Sequence, residues 1–298
     1  MISYRLERSD SMKANYKPLV TIVITTKNSA KILENLFKSI KKQTYHNLEI
    51  VVVDNFSSDQ TEEISKKYTH RFFKKGPERS AQRNYAVQRS KGKYVLILDS
   101  DMELQKKVIE ECVTEFDDGK FGALVVPEKS FGMGFWTKFK VFEREFYVGE
   151  QDFEAARFFK RSLFQKFGGY DQSLTGPEDW DLPLRMRKAG IKIGRIKSYI
   201  LHNELVFSPW RSAKKKFYYG SKANSYLKRH PEMAISQGNL LFRNVFFRKW
   251  KRLLFHPYLA FGMICVRMLE ASGAIAGFLW SLLSKKEVVN LGLYKKDD

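Results

Sequence analysis

The chain has 298 residues, 43% of them hydrophobic, and a formal charge of +20 with a pI near 9.7. That length can bury a core and suits one α/β domain with a smaller appendage, and the apolar share excludes a disordered chain or a polytopic membrane protein. The positive excess favours anionic partners such as nucleic acid, phosphorylated small molecules or an acidic membrane face, without choosing among them.

Residues 1–17 read as a polar leader without the apolar stretch of a signal peptide, so a cytosolic chain is expected. The β-branched run Leu19–Thr26 predicts a strand buried on both faces. A helix follows over Ala30–Lys42, with Ile32, Leu33, Leu36, Phe37 and Ile40 on one side. Leu48–Val53 predicts a second strand ending at Asp54, Ser58–Tyr68 a helix, and Arg71–Lys74 a weak strand. A helix over Glu78–Arg89 precedes the apolar strand Tyr94–Leu98, which ends at Asp99. This alternation predicts a mainly parallel, doubly wound sheet.

Gln105–Phe116 reads as a helix, Phe121–Pro127 as a strand, and 130–152 as an aromatic, irregular cover. Beyond it come a strand at Ala155–Lys160, a helix at Glu178–Ala189 containing Pro183, and strands at Lys192–Ile196 and Tyr199–Val206. Composition changes near Ser208, which divides the chain into a leader (1–17), an α/β domain (18–208) and a basic, apolar helical tail (209–298). Cys112 and Cys265 lack CxxC spacing, so neither a disulfide framework nor a zinc site is expected.

Open α/β sheets bind ligands at the carboxyl ends of their strands. Those ends carry Thr25, Thr26, Lys27 and Asn28, then Asp54 and Asn55, then Asp99, Ser100 and Asp101. Turn formation explains any one acid there, but poorly explains Asp99 and Asp101 together after an apolar strand. Two carboxylates so close repel unless a cation lies between them, and Mg²⁺ or Mn²⁺ there suits a pyrophosphate ligand. No GxGxxG follows the first strand and no GxxxxGK[ST] occurs, which disfavours dinucleotide and P-loop folds.

Four blocks in this order resemble glycosyltransferase family 2 of the GT-A fold: VTIVITTKN, VVVDNFSSDQT, RSAQRNYAVQRSKGKYVLILDSDM and GGYDQSLTGPEDWDLPLRMRKAG. The resemblance covers about 18–205, with Ala86 standing where many members carry glycine. It implies an inverting transfer of a sugar from a UDP- or GDP-linked donor to a glycan or lipid-linked acceptor. It also implies that Asp54 meets the nucleobase and that Arg83 and Asn84 line the donor pocket beside Thr25, Thr26, Asn28 and Ser100. Asp99 and Asp101 become the metal-binding DXD motif, Asp101 the direct ligand. Asp179 becomes the base beside Glu178, in a pair that helix capping also explains. Asp181 reads as structural, and Trp180 as either a sugar platform or core. His202, after the strand in ILHNE, is the candidate third metal ligand. Arg157 and Glu128 lie on the acceptor side or pair with charges.

Between Trp210 and Arg252 the charges are almost all positive, opposed by Glu232 and interleaved with aromatics. Tyr258–Leu283 is long enough to cross a bilayer, but Arg267 and Glu270 interrupt it, three apart and able to pair. The tail is therefore expected to lie in or dip into an anionic membrane surface, on its cytoplasmic face, with a packed core helix as the competing reading. Three other classes stay open: a nucleic-acid binder using the basic tail, a nucleotidyltransferase, and a catalytically silent membrane scaffold. No specific nucleic acid is expected, because the strand-end acids would repel phosphate without a metal.

Overall fold

The computed structural model describes residues 17–117, 119–151, 153–174, 177–229 and 243–283. The expected leader, Gly176 and the end of the tail lie outside them.

Seven strands form the main sheet: β1 (Val20–Thr26), β2 (Leu48–Asp54), β3 (Phe72–Lys74), β4 (Tyr94–Asp99), β6 (Ala123–Val125), β8 (Ala156–Lys160) and β9 (Ile193–Arg195). Their order is β3-β2-β1-β4-β8-β6-β9. All neighbours run parallel except β8, which is antiparallel to β4 and β6. Alternation along the strands serves two cores. Ile22, Ile24, Leu96 and Leu98 pack with Leu33, Leu36 and Phe37 of helix α1 (Ala30–Lys41). Val23, Val53, Val95 and Ile97 pack on the opposite face with Ala86 and Val87 of helix α3 (Arg79–Arg89). Between these helices lies the short α2 (Thr61–Lys66).

A second sheet, β5-β10-β7, sits at the carboxyl edge of the first. Its strands are β5 (Met102–Leu104), β7 (Glu128–Phe131) and β10 (Ile200–Asn203). The expected strand at 121–127 ends early as β6, and β7 begins directly after Pro127. Helix α4 (Val108–Asp117) starts later than expected because Gln105 prolongs the β5–β10 contact: its amide donates to the Tyr199 carbonyl at 3.3 Å and its side-chain oxygen accepts from the Tyr199 amide at 3.0 Å.

The segment 130–152 is not irregular: Thr137–Tyr147 forms helix α5, with Phe139, Lys140, Phe142, Glu143, Phe146 and Tyr147 buried. Its amphipathic pattern is blurred because Lys140 and Glu143 lie on the inward side. They find counter-charges on the tail. Short α6 (Arg161–Lys166) and then α7 (Glu178–Lys188) complete the domain, Pro183 lying inside α7.

The tail contributes α8 (Pro209–Arg229), short α9 (Asn244–Arg248) and α10 (Trp250–Phe255), and the 27-residue α11 (Pro257–Leu283). Arg267 and Glu270 do not pair with each other as expected. Arg267 bonds Glu143, and Glu270 takes the Lys140 ammonium at 3.0 Å, so both charges of α11 are neutralised by α5. Met263 and Ala260 of α11, Val245 and Phe246 of α9 and Phe142 and Phe146 of α5 form a third core. The α8–α11 contact is backbone-close. A Cβ on Gly277 would fall 1.9 Å from the Phe217 carbonyl oxygen, and one on Gly273 2.4 Å from that of Ala213. The Gly273–Gly277 spacing is thus occupied within the chain. The opposite side of α11 exposes Phe261, Ile264, Met268, Ile275, Leu279 and Leu282, one stripe at helical spacing.

Candidate active site

Parallel register brings the ends of β1, β2 and β4 side by side, with Thr26 opposite Asp54 and Thr25 opposite Asp99. The hydroxyls expected to meet a donor here bond the strand ends to one another. Thr26 donates to Asp54 at 2.7 Å, Thr25 to Asp99 at 3.1 Å, and Ser29 and Ser100 share a bond of 2.8 Å. Asn28 sits at φ 46°, a left-handed conformation that asparagine tolerates, and its side-chain oxygen accepts from the Ser58 amide. Asp54 is buried and also accepts from the Ser57 amide and hydroxyl, so it shapes the turn at 54–57.

The centre of the site is Arg83, fully buried on α3. Its guanidinium donates to Asp99 at 2.8 Å and to Asp179 at 2.5 Å, and lies 3.5 Å from Glu178. One side chain therefore joins the metal-motif strand to the helix of the candidate base. Burial opposes the charge on Asp99, but Arg83, Arg79 and Arg157 outweigh it and hold the carboxyl well below the usual range. Burial pushes Glu178 the other way, and Asp179 adds to that rise against the pull of Arg79.

Asp101 and His202 meet through the second sheet. Antiparallel pairing sets His202 opposite Met102, and the Asn203 amide bonds the Asp101 carbonyl at 2.8 Å. His202 Nε2 lies 3.5 Å from Asp101 Oδ2, and Nδ1 lies 3.4 Å from Glu128 Oε2. Desolvation would lower the imidazole pKa, but Asp101 and Glu128 raise it to about 10. Imidazole nitrogen and carboxylate oxygen are suitable donors for Mn²⁺, and two donors on one such ion lie about 3 Å apart. The pair fits a divalent ion after a small inward adjustment and loss of the imidazolium proton, which the metal displaces on binding. Among the described residues no three His, Cys, Asp or Glu side chains form a metal-holding group, so a ligand's oxygens would complete the set.

Asn84 faces elsewhere: it clamps Tyr170, donating to its carbonyl at 2.7 Å and accepting from its amide at 2.9 Å. This holds the loop ahead of α7. Gly169 in that loop has φ +68°, and a Cβ there would strike the Asn84 side chain. Asp181 pairs with Arg185 at 2.8 Å within α7, a structural place. Trp180 donates to the Phe153 carbonyl at 3.4 Å. Glu128 bonds Arg157, whose guanidinium also reaches to 3.9 Å from Asp99.

Two further residues complete the site. Arg79 lies 3.3 Å from Glu178 and 3.7 Å from Asp99, and Gln82 bonds the carbonyls of Thr26 and Val53. The signal for Arg79 was present, since it stands four before Arg83 on the same face of α3.

The family model described as glycosyl transferase family 2 matches residues 21–170, half of the chain. Over 194 residues the chain is 31% identical to an uncharacterized glycosyltransferase of Rickettsia typhi, covering 57% of this chain and 59% of that one. Over 168 residues it is 27% identical to the GalNAc(5)-diNAcBac-PP-undecaprenol beta-1,3-glucosyltransferase of Campylobacter jejuni, covering 50% and 53%. The chain thus spans little more than half the length of these two relatives. A mannosyltransferase from Pyrobaculum calidifontis, solved with GDP-Man and Mn²⁺, superposes with a TM-score of 0.60 at 20% identity, covering 91% of this chain and 89% of that one. That likeness shows the GT-A fold.

Proposed function

The chain belongs to glycosyl transferase family 2, and from that premise we propose that it moves a sugar from a nucleoside diphosphate to an acceptor hydroxyl, with inversion at the anomeric carbon. The observation that carries this reading is the Arg83 bridge, which sets Asp99 and Asp179 on one guanidinium at 2.8 and 2.5 Å. Donor-side and acceptor-side acids thereby share one fixed frame, as a displacement needs.

Asp101 and His202 would hold Mg²⁺ or Mn²⁺ against the diphosphate, with Asp99 close by. When bound, such an ion neutralises charge developing on the leaving diphosphate. Arg83 fixes Asp179 through Oδ1, which leaves Oδ2 to accept the acceptor's proton. Asp54 and the β1–α1 turn offer the base-binding edge. The GDP-Man and Mn²⁺ of the Pyrobaculum structure support a nucleotide-sugar donor and a divalent ion. The undecaprenol-linked name of the Campylobacter relative supports a lipid-linked or polymeric acceptor.

Membrane attachment belongs to the same reading. α11 meets the length and hydropathy of a span. One of its sides, however, is packed on α8 and α5 with Arg267 and Glu270 buried against α5. The Phe261–Leu282 stripe, with Tyr258, Trp280 and Leu283 at its margins, is left for lipid, so α11 lies along an anionic interface rather than across the bilayer, with basic residues of the tail toward the headgroups.

Calorimetric titration with UDP and GDP, with and without Mn²⁺, tests the donor site. Metal-dependent binding of one nucleotide, lost in Asp101→Ala and kept in Asp179→Asn, is expected. Absence of binding to both nucleotides under all conditions would sink the reading.

A further inference from the structure

Beside α7 lies a cavity of about 100 Å³ walled by α5, α8, α11 and the Phe153 and Arg243 segments. A volume of this order holds several waters or one compact anion. Among the described residues its lining is unbalanced: Lys140, Arg144, Lys216, Arg243 and Arg267 face only Glu143 and Glu270. Those two acids are already engaged, Glu143 by Lys140 and Arg267, and Glu270 by Lys140. Arg144 pairs with Glu204 at 3.2 Å. Arg267 is 5% exposed, yet its Nε and Nη2 find no partner among the described residues, nor does Arg243 Nε. Buried guanidinium donors left without acceptors cost free energy, and this cavity collects several of them. Desolvation also pushes the Lys216 ammonium down to about 8, as in a site short of negative charge.

Position gives the cavity a purpose. Trp180 forms part of its wall and directly follows Asp179, while Glu204, the partner of Arg144, stands two residues after His202. The far side of α11 is the exposed apolar stripe.

We infer that this cavity binds a phosphomonoester group of the acceptor, holding the hydroxyl to be glycosylated beside Asp179. The inference rests on Asp179 marking the acceptor side. A phosphate supplies the charge and acceptor oxygens that the arginines lack. It reaches the cavity either as the headgroup of a lipid or on a water-soluble acceptor.

The test uses the full chain, metal-free in EDTA, as wild type, Lys216→Gln and Arg243→Gln. Both side chains are half-buried, so their loss spares the Arg267–Glu143 pair. One arm titrates glycerol 3-phosphate. The other titrates phosphatidylcholine vesicles containing phosphatidic acid, against vesicles with the same fraction of phosphatidylglycerol. Each substitution is expected to weaken phosphomonoester binding about tenfold. An effect in the soluble arm assigns a soluble phosphate ester; one confined to phosphatidic acid assigns a lipid headgroup. Absence of wild-type binding to glycerol 3-phosphate and to phosphatidic acid vesicles, binding insensitive to both substitutions, or equal losses on both vesicle types overturns the inference. UDP and GDP titrations with Mn²⁺ run in parallel, and their failure would strike the donor reading alone.

Discussion

Arg83→Met removes the one cation among the described residues that touches both Asp99 and Asp179. The side chain is fully buried, and its loss leaves Asp99, Asp179 and Glu178 close together, with Arg79 at 3.3 Å from Glu178 but only 3.7 Å from Asp99 and Arg157 at 3.9 Å from Asp99. Breaking a buried pair by removing one partner costs about 3–5 kcal/mol. In a domain of this size that corresponds to a fall in Tm of roughly 6–20 °C. The pH dependence has a definite sign. The Asp99 pKa is depressed by folding, so its contribution is present above the unfolded pKa of about 4 and is lost as pH falls toward the folded value. The gap between wild type and Arg83→Met should therefore be widest near neutrality and narrow below about pH 4. Arg83→Lys keeps the charge without the two-pronged geometry and should fall between them. Urea or thermal unfolding at pH 7 and pH 3.5 reads all three proteins. A Tm for Arg83→Met within 1–2 °C of wild type at pH 7, on the order of 0.5 kcal/mol, would refute the bridge as the organiser of the site.

Met268→Glu and Phe261→Glu place charges on the exposed side of α11. Each should leave the unfolding midpoint nearly unchanged and weaken sedimentation with phosphatidylglycerol vesicles about tenfold, since each lost apolar contact is worth ~1.5 kcal/mol or more. Alkaline carbonate should also release the wild type from membranes, and retention in the pellet would mean a span. Gly277→Leu should cost about 1–3 kcal/mol by forcing α11 from the Phe217 backbone, read by urea unfolding, and an unchanged midpoint would contradict the close contact. In native protein a thiol reagent should modify Cys265 readily and Cys112 only on unfolding. Cys112 is buried, and its thiol is pushed well above the usual range by burial and then by Glu111 and Glu115.

The main sheet was legible because its strands are short apolar runs that end in polar residues, a pattern set by burial on both faces. β8 was legible as a strand but not in direction, since its antiparallel placement depends on partners distant in sequence. β5 was hidden, three residues behind Asp99 and Asp101 with no apolar run of its own. Helix α5 was hidden for another reason. Its inward Lys140 and Glu143 look like solvent-facing charges until Glu270 and Arg267 arrive from more than a hundred residues away. The same distance misled the reading of α11, where two charges three apart suggested a pair within the helix. In the site, Asp101 and His202 were each named from position, but their meeting depends on the β5–β10 register. Asn84 stood beside Arg83 in sequence, yet consecutive helical residues face different ways, and it clamps Tyr170 instead.

The tail is part of the protein's architecture rather than a detachable anchor. The third core is shared by α5, α9 and α11, and the Tyr218 hydroxyl of α8 donates to Glu78 at 2.5 Å, immediately before Arg79. Removing residues from 209 onward would uncover Phe142 and Phe146 and strip Lys140 of Glu270 and Glu143 of Arg267, leaving them only each other, so such a truncation measures misfolding before it measures membrane affinity. Single substitutions on the exposed stripe avoid that confusion. The geometry also explains why a helix with the composition of a span can carry Arg267 and Glu270. Both charges turn inward to a protein surface that neutralises them, and the side left exposed is apolar. On the proposed reading such a helix would fix the distance between the bilayer and the carboxyl edge of the sheet, which would suit an acceptor whose anchored end stays in the membrane while its hydroxyl reaches Asp179.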